Sequence, residues 1–307
     1  MAKKTIVVVS GYWSTNIGNS FFQLGAEYLL KTVCPNDHVV SLSDQPGYWN
    51  VTKGNPDNAF IILDHLQFDV LVILGPFLRP EYDKIWLSTL RKLHARGIKL
   101  VVLAAGMMKY DKITVQKCRD WLAETPPAIF TTRDSHTYEL FHDIPEYSYN
   151  GIDVATYVSD MFPSIPMIMG DFVVFNFDKW PEPIVVPGSN SSKDSEYTLF
   201  FLDKIWQLNF SKRRKSIVEK SRLAQFFNSR LPQPYASDFA GLPIIRTDHR
   251  TNPAYLRNIF RSPNTFAADV PNSYLNIYAN SVLTLSNRVH ACVATLVYGN
   301  PAMLFSA

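Results

Sequence analysis

Cysteine, net charge and long hydrophobic runs are all scarce in this sequence. Its 307 residues include three cysteines, too few and too far apart for a disulfide framework or a thiolate zinc site. Thirty Lys and Arg residues against 27 Asp and Glu residues leave a net charge of +3, which argues against a polybasic nucleic-acid binder. No run reaches the ~20 apolar residues that span a bilayer, and the apolar run at 5–9 is too short for a signal peptide. We therefore expect a cytoplasmic protein with no nucleic-acid partner.

The composition is that of a globular protein with room for two domains. Hydrophobic residues make up 47% of the chain and charged residues 19%, unlike the polar, charge-rich composition of disordered chains. At roughly 150 residues per domain, the length predicts two domains. Five prolines between 163 and 187, followed by the polar run 188–194, suit a hinge. We place the domains at 1–165 and 166–307.

Short apolar runs alternate with amphipathic segments along both halves, which is typical of βαβ units around a buried parallel sheet. The predicted strands are 5–10, 39–42, 70–75, 99–104 and 128–132 in the first half, and 171–177, 197–202, 242–245, 282–285 and 302–305 in the second. Helices are predicted at 21–33, 82–96, 114–124, 135–142, 216–230, 273–280 and 289–298. Ligands of such sheets bind beyond the carboxyl ends of the strands, so the loops there are the candidate sites.

Small polar residues follow the first strand. Asn16, Gly18 and Asn19 lie between this strand and a helix, where backbone N–H groups and the helix dipole can bind an anion. The alternative is a simple capped turn, with Asn19 or Ser20 as the N-cap residue.

Two glycines and an arginine lie at the carboxyl ends of the third, fourth and fifth predicted strands. Gly75 and Gly106 follow the third and fourth strands, where glycine lets a ligand approach the backbone, although each could be an ordinary turn residue. Arg133 follows the fifth strand. Its guanidinium suits a carboxylate or a phosphate, and the alternative is an ion pair with Asp134 or another neighbouring acid.

The segment with the strongest candidates for catalysis joins a predicted strand to a predicted helix near residue 288. Arg288 and His290 place a fixed cation and a titratable proton donor within one turn of a helix N-terminus. The alternative for His290 is a core residue. His249 follows another strand together with Arg246 and Arg250. It is a candidate substrate ligand if these residues form an anion site, and we favour an exposed basic turn for the segment.

Metal and nucleotide motifs are missing, whereas one basic segment stands out. The chain has no HExxH or paired-carboxylate spacing, no P-loop and no GxGxxG fingerprint, so we expect neither a metal nor a cofactor. Residues 212–222 carry a net charge of +5. Such a run is usually a solvated helix start, although it could attract an anionic membrane surface and so support peripheral membrane association.

The order of these segments resembles the polysaccharide pyruvyl transferase family. The strongest part is the Arg-x-His-Ala segment that starts at Arg288, followed by Gly-x-Pro at 299–301. The matching pieces, spread over most of the chain, are Asn16-Ile17-Gly18-Asn19, Gly75, Gly106, Arg133-Asp134 with Thr137, Gly151-Ile152-Asp153-Val154-Ala155, and Ser286-Asn287-Arg288-Val289-His290-Ala291 with Gly299-Asn300-Pro301.

This resemblance implies a fold, a reaction and roles for particular residues. It implies two Rossmann-like domains in a GT-B-like arrangement, with phosphoenolpyruvate bound in the interdomain cleft. The implied reaction transfers pyruvate from phosphoenolpyruvate to two hydroxyls of a sugar as a cyclic ketal and releases phosphate. The acceptor would be a glycan or lipid-linked saccharide of exopolysaccharide biosynthesis. Arg288 and Arg133 would bind the anionic groups of the donor, and His290 would act as the acid or orient the phosphate. The remaining predicted substrate-binding residues are Asn16, Gly18, Asn19, Gly75, Gly106 and His249.

Two features leave other interpretations open. Many family members have an aspartate where Asn19 stands, and an asparagine cannot take a proton. A non-catalytic glycan-binding relative is therefore one alternative, and a GT-B glycosyltransferase that uses a nucleotide sugar is the other. The chain also ends directly after a predicted strand, so we expect a second domain without its terminal helix.

Overall fold

The computed structural model divides the chain into two compact units. Unit 1 holds the described residues up to Pro163 except Asn16 and Ile17, and unit 2 holds those two together with the described residues from Ser164 onward. The structure describes residues 2–10, 16–43, 61–80, 86–166, 170–177, 182–187, 197–201, 204–208, 236–249 and 264–306. The predicted helix 216–230, the basic segment 212–222 and Arg250 lie outside these ranges.

Unit 1 is built around a six-stranded parallel sheet. Its strands in chain order are β1 (Thr5–Ser10), β2 (His38–Ser43), β3 (Val70–Leu74), β4 (Lys99–Ala105), β5 (Ile129–Thr132) and β6 (Tyr147–Asn150). Their order across the sheet is β2-β1-β3-β4-β5-β6, and each neighbouring pair is parallel. The five strands predicted for the first half are confirmed, whereas β6 was not predicted.

Helices connect these strands and cover the sheet. They are α1 (Asn19–Val33), α2 (Ile61–Asp64), α3 (Leu87–Ala95), α4 (Lys112–Glu124), α5 (Ser135–Phe141), a 3-10 helix (Val154–Tyr157) and α6 (Val158–Met161). Aspartates cap three of them, because Asp111, Asp134 and Asp153 accept hydrogen bonds from the N–H groups of Thr114, Thr137 and Ala155. The four helices predicted in this half are confirmed, although residues 82–85 of the second lie outside the described ranges.

The core of unit 1 follows from its apolar strands. All residues of β1 from Ile6 to Ser10 are buried, as expected for a central parallel strand that is covered on both faces. Phe77 packs edge-on against Trp86 and Trp121, with ring centroids 5.8 and 5.0 Å apart.

Helix α1 approaches the 3-10 helix closely at Gly25. A β-carbon added to Gly25 would lie 1.9 Å from the backbone oxygen of Val154, far inside van der Waals contact. The position of α1, whose first residues belong to the predicted anion site, therefore depends on glycine at this point.

Unit 2 contains two further sheets. Its strands are β7 (Val173–Asn176), β8 (Ile184–Pro187), β9 (Tyr197–Phe201), β10 (Lys204–Leu208), β11 (Asp238–Phe239), β12 (Leu242–Thr247), β13 (Thr265–Phe266), β14 (Leu283–Ser286) and β15 (Ala302–Leu304). Its helices are α7 (Pro271–Asn280) and α8 (Val289–Val297).

The larger sheet of unit 2 has the order β11-β12-β7-β14-β15, and β13 also pairs with β12. Of these described pairs, only β11–β12 is antiparallel. Across the ranges described for both units, no helix has the length and apolarity needed to cross a membrane.

A three-stranded antiparallel sheet lies in the connection between β7 and β12. Its order is β10-β9-β8. The predicted strand 197–202 corresponds to β9, so it belongs to this small sheet and not to the parallel one. Neither β8 nor β10 was predicted.

The two parallel sheets share one feature of their strand order. In each, the first strand in the chain lies between two later strands, with β2 and β3 on either side of β1 in unit 1 and β12 and β14 on either side of β7 in unit 2. The connections therefore reverse direction at β1 and at β7, and ligands of such sheets bind beyond the carboxyl ends at this reversal point. The ends of β7 and β14 are thus the expected ligand position in unit 2.

Candidate functional site

In unit 2, the turn between β14 and α8 lies at the carboxyl end of the sheet and carries Arg288 and His290. Arg288 is the N-cap residue of α8 with φ −114° and ψ 119°, and its backbone N–H donates to the Ser286 Oγ at 2.8 Å. The Asn287 N–H donates to the carbonyl oxygen of Asn176 at 3.1 Å. These bonds hold the turn beside the end of β7, where the strand order predicts a ligand.

The first turn of α8 brings several anion-binding groups together. Small residues form the buried face of the helix, namely Ala291, Cys292, Ala294 and Thr295. Arg288 and His290 are both partly exposed. The first backbone N–H groups of a helix have no acceptor within the helix, and the helix dipole favours an anion beside them. Together with Arg288 and His290, they can hold a carboxylate or a phosphate.

Arg246, the next-to-last residue of β12, and His249, which follows β12, are both buried, which corrects the prediction of an exposed turn. Arg246 is 3% exposed, and its Nε and Nη2 each donate to the Glu182 carboxylate at 2.8 Å. His249 is fully buried, and its Nε2 lies 2.5 Å from the Tyr278 Oη. The segment folds inward because Glu182 and Tyr278 satisfy its polar groups. The predicted role of His249 as a substrate ligand does not fit this enclosed position.

The first predicted motif is divided between the two units. Asn16 and Ile17 belong to unit 2, where the Ile17 N–H donates to the carbonyl oxygen of His249 at 2.7 Å. Gly18 and Asn19 belong to unit 1, where Gly18 is the N-cap residue of α1 and Asn19 its first residue. The N-cap therefore precedes both of the residues that the capped-turn alternative named.

In unit 1, the Arg133 side chain lies in a cradle formed by Asp153, Phe22 and Gly106. Its Nη1 is 3.1 Å from the Asp153 Oδ2, and its guanidinium lies 5.9 Å from the centre of the Phe22 ring. A β-carbon at Gly106 would be 2.7 Å from the Arg133 Nε, so the glycine makes room for this side chain. The structure thus shows the ion pair that was the alternative for Arg133, with Asp153 as the partner instead of Asp134.

A bulge in β4 leads into this cradle. The register between β4 and β5 shifts just before Ala105, and Ala104 has a φ of 54°, which is strained for a residue with a β-carbon. The Ala104 N–H donates to the Thr131 Oγ1 at 2.9 Å, and the Arg133 N–H donates to the Ala105 carbonyl at 3.1 Å. The bulge therefore joins the backbone of Arg133 to β4 directly before Gly106.

Gly75 forms the turn that ends β3. It has a φ of +74°, and its carbonyl accepts a hydrogen bond from the Phe77 N–H at 2.7 Å. The backbone conformation alone therefore accounts for glycine here, as the ordinary-turn interpretation predicts.

With both sites described, comparison with known proteins decides the family. Residues 16–306 match the family model for polysaccharide pyruvyl transferase. The chain belongs to the polysaccharide pyruvyl transferase family. As a pyruvyl transferase family member it is a transferase, and the matched residues include Arg133, Arg288 and His290. No curated protein sequence matches the chain.

Solved structures show the fold class of this family member. The S. aureus MnaA structure with UDP has 10% sequence identity and a TM-score of 0.57, with 99% of this chain and 79% of that one covered. UDP-GlcNAc 2-epimerase from Methanocaldococcus jannaschii has 11% identity and a TM-score of 0.46, with 98% and 83% covered. E. coli heptosyltransferase WaaC has 8% identity and a TM-score of 0.39, with 97% and 87% covered. The likeness to MnaA, together with the two parallel sheets, confirms the prediction of two Rossmann-like domains of the GT-B-like class.

Asp153 is a residue of this family member that the site prediction left out. It lies in the 151–155 piece of the family resemblance, and its Oδ1 also accepts a hydrogen bond from the Ala155 N–H at 2.9 Å. Burial raises the pKa of the Asp153 carboxyl, and this effect exceeds the lowering by the Ala155 N–H and by Arg133. Arg133 thus offsets only part of the cost of placing this carboxylate inside unit 1.

Replacing Arg133 by methionine is expected to destabilise this family member more at pH 7 than at pH 4. Loss of the guanidinium raises the pKa of Asp153 further above its ordinary value. A carboxyl whose pKa is raised in the folded state favours folding below its unfolded pKa, and this contribution is lost as the pH rises through the folded pKa. The variant's deficit in unfolding free energy therefore grows with pH, as measured by urea denaturation at a series of pH values.

The matched control for this measurement is Arg91→Met. Arg91 pairs with Glu124 on the surface, where its side chain is 59% exposed, so its deficit should stay small at every pH. A deficit for Arg133→Met that does not change with pH would contradict the role of Arg133 in neutralising Asp153.

Proposed function

We propose that this chain transfers pyruvate from phosphoenolpyruvate to two hydroxyls of a sugar in a glycan or lipid-linked saccharide, forming a cyclic ketal and releasing phosphate. The main support is the β14–α8 turn, which carries Arg288 and His290 at the carboxyl end of the unit 2 sheet in a member of the pyruvyl transferase family. The proposed donor has a carboxylate and a phosphate, and the turn offers groups that suit both.

Arg288 would hold one anionic group of the donor. Its planar guanidinium can donate two parallel hydrogen bonds to a carboxylate or a phosphate. The N–H groups at the start of α8 would bind the second anionic group, with help from the helix dipole. A donor held at both ends keeps its reacting carbon in one orientation, which lowers the entropic part of the barrier.

His290 would supply the proton that starts the reaction. It protonates the methylene carbon of the donor, and the neighbouring carbon, which becomes oxocarbenium-like, takes the first sugar hydroxyl. The bond from this carbon to the phosphate oxygen then breaks, and the second hydroxyl adds in its place. Of the two hydroxyl protons released, one restores His290 and the other leaves on the phosphate, so atoms and charges balance.

The β14–α8 turn gives no support to several other predictions from the sequence. The roles of Arg133, Asn16, Gly18, Asn19, Gly75 and Gly106 as substrate ligands stay predictions. The cytoplasmic location and the membrane association suggested by residues 212–222 stay predictions as well.

Replacing His290 by glutamine is expected to lower kcat for phosphate release from phosphoenolpyruvate by about 100-fold. Glutamine keeps the size and the hydrogen bonding of the side chain but cannot deliver a titratable proton. The assay follows phosphate release with a panel of glycan acceptors, and NMR of the product identifies the ketal. His65→Gln is the matched control, because His65 is exposed in unit 1, and it should keep the wild-type kcat.

The choice of donor separates the alternative functions. Turnover of a nucleotide sugar, with none of phosphoenolpyruvate, would replace the proposal by a glycosyltransferase. Glycan binding without turnover of either donor would indicate a non-catalytic relative. If His290→Gln turned over phosphoenolpyruvate at the wild-type rate, His290 would not be the acid.

A further inference from the structure

One buried side chain, that of Asn176, links the carboxyl ends of three neighbouring strands. Asn176 is the last residue of β7, the central strand of the unit 2 sheet, and it is fully buried. Its Nδ2 donates to the carbonyl oxygen and the Oγ1 of Thr247, at the end of β12, over 3.0 and 2.9 Å. Its Oδ1 lies 3.2 Å from the Oγ of Ser286, at the end of β14. The amide therefore bridges β12 and β14 across the end of β7.

The turn that carries Arg288 is held by Asn176 and Ser286. The carbonyl oxygen of Asn176 accepts the Asn287 N–H at 3.1 Å, and the Ser286 Oγ accepts the Arg288 N–H at 2.8 Å. The Ser286 hydroxyl has a single proton, which the side-chain oxygen of Asn176, its backbone oxygen and the Arg288 carbonyl share at 3.2, 3.1 and 3.2 Å. The backbone of the turn is thus fixed at two successive residues.

The chemistry of this position selects asparagine. The Thr247 carbonyl can only accept a hydrogen bond, so the nitrogen of the amide must face it, which leaves the amide oxygen for the Ser286 hydroxyl. An aspartate would place a carboxylate oxygen against that carbonyl in a fully buried site, where a charge without a donor is costly. An amide supplies both a donor and an acceptor at this point.

The far side of the network is anchored by α7. The Tyr278 Oη lies 3.1 Å from the Thr247 Oγ1 and 2.5 Å from the His249 Nε2. The rings of Tyr274 and Tyr278 both meet the His249 ring edge-on. This packing holds the end of β12 in place, and Asn176 is hydrogen-bonded to Thr247 at that end. The hydrogen-bonded side chains of Asn176, Thr247 and Tyr278 therefore form one rigid support for the turn.

From these contacts we infer that Asn176 and Ser286 are positioning residues for phosphoenolpyruvate binding, acting through the backbone of Arg288. This inference rests on the proposed function. Neither side chain touches the donor in this account. They hold the turn so that the Arg288 guanidinium and the first N–H groups of α8 are already placed when the donor arrives, which is the kind of preorganised support that keeps a binding site tight.

The test compares two variants that each lose one buried hydroxyl. Ser286→Ala removes the acceptor of the Arg288 N–H, whereas Thr295→Val removes a hydroxyl of α8 that lies 2.8 Å from the Thr284 Oγ1 and 2.9 Å from the Ala291 carbonyl oxygen, so that its two contacts are not with residues 286–288. Both positions are fully buried. Ser286→Ala is expected to raise KM for phosphoenolpyruvate at least about 10-fold while kcat changes less, because a looser turn weakens donor binding. Ser286→Thr keeps the hydroxyl, so its KM should stay close to the wild-type value. Thr295→Val should also leave KM unchanged.

Melting temperatures of the same variants separate positioning from general stability. If Ser286→Ala and Thr295→Val lower Tm equally and raise KM equally, the turn has no special role and the inference is wrong. If Ser286→Ala keeps the wild-type KM while Arg288→Ala loses activity, the inference is wrong and the proposed function stands. If Arg288→Ala itself keeps full activity with phosphoenolpyruvate, the proposed site fails and the inference fails with it.

Discussion

Replacing Arg288 by alanine is expected to lower kcat/KM for phosphoenolpyruvate by on the order of 100- to 1000-fold, the range found when one preorganised donor to a transition-state anion is removed. Arg288 is the N-cap residue of α8 and follows β14 by two residues, and its guanidinium would pair with an anionic group of the donor. Arg288→Lys should recover only part of the loss, because an ammonium keeps the charge but not the two parallel hydrogen bonds. Steady-state kinetics of phosphate release measure both variants.

Arg91→Ala provides the control for this expectation. Arg91 lies on α3 and pairs with Glu124 on the surface of unit 1, so the variant loses the same charge and should keep its activity. A value of kcat/KM within about twofold of the wild type for Arg288→Ala would remove Arg288 from the donor site, since each tenfold change corresponds to about 1.4 kcal/mol of transition-state binding.

Replacing Gly25 by alanine is expected to cost about 2–3 kcal/mol of unfolding free energy. Alanine favours a helix over glycine by up to about 1 kcal/mol, but the new β-carbon would lie 1.9 Å from the Val154 backbone oxygen. The β-carbon is fixed rigidly to the backbone of α1 and the oxygen belongs to the backbone of the 3-10 helix, so one of the two helices must move as a whole. A shift of the 3-10 helix also moves Asp153, its N-cap residue, and with it the partner of Arg133. Urea denaturation measures the loss of stability.

Gly170→Ala is the matched control for Gly25→Ala. A β-carbon at Gly170 would meet nothing within 4 Å, and the residue has no positive φ. This variant should therefore be neutral or slightly stabilised, because alanine restricts the unfolded chain. If Gly25→Ala and the wild type had the same free energy of unfolding, α1 and the 3-10 helix would be able to move apart without loss of stability, which would contradict the prediction.

The parallel strands could be predicted because both of their faces are covered. A strand of this kind is a continuous apolar run, and β1 was predicted with the bounds that the structure has, Thr5–Ser10. The helices between the strands followed from their amphipathic pattern. Fold class needs only these local signals, since alternating strands and helices lead to parallel sheets.

The strands that escaped prediction lack that continuous pattern. Strand β6 lies at the edge of its sheet, and its Tyr147 and Tyr149 are exposed, so an apolar run is not required there. Strand β8 ends in Pro187 and follows Pro183, and prolines in a short segment indicate a turn more often than a strand.

The candidate site could be predicted only where its residues are close in the sequence. Arg288 and His290 belong to one strand–turn–helix junction, so their proximity followed from local structure. The burial of His249 depends on Tyr278, which comes from a later helix, and no local pattern places the two together. Asn176 ends an apolar strand without any motif, and its role becomes visible only when Thr247 and Ser286 are found on either side of it.

The position of the first strand between two later ones has a different consequence for the folding kinetics of each unit. In unit 1, the central strand β1 ends at Ser10 and its second neighbour begins at Val70. In unit 2, β7 ends at Asn176 and its second neighbour begins at Leu283. Strand pairs that are far apart in the chain close large loops and raise the contact order, which slows folding. We therefore expect unit 1 to order early during synthesis, whereas the turn with Arg288 forms only after β14, which follows β7 at a much longer interval, has been made.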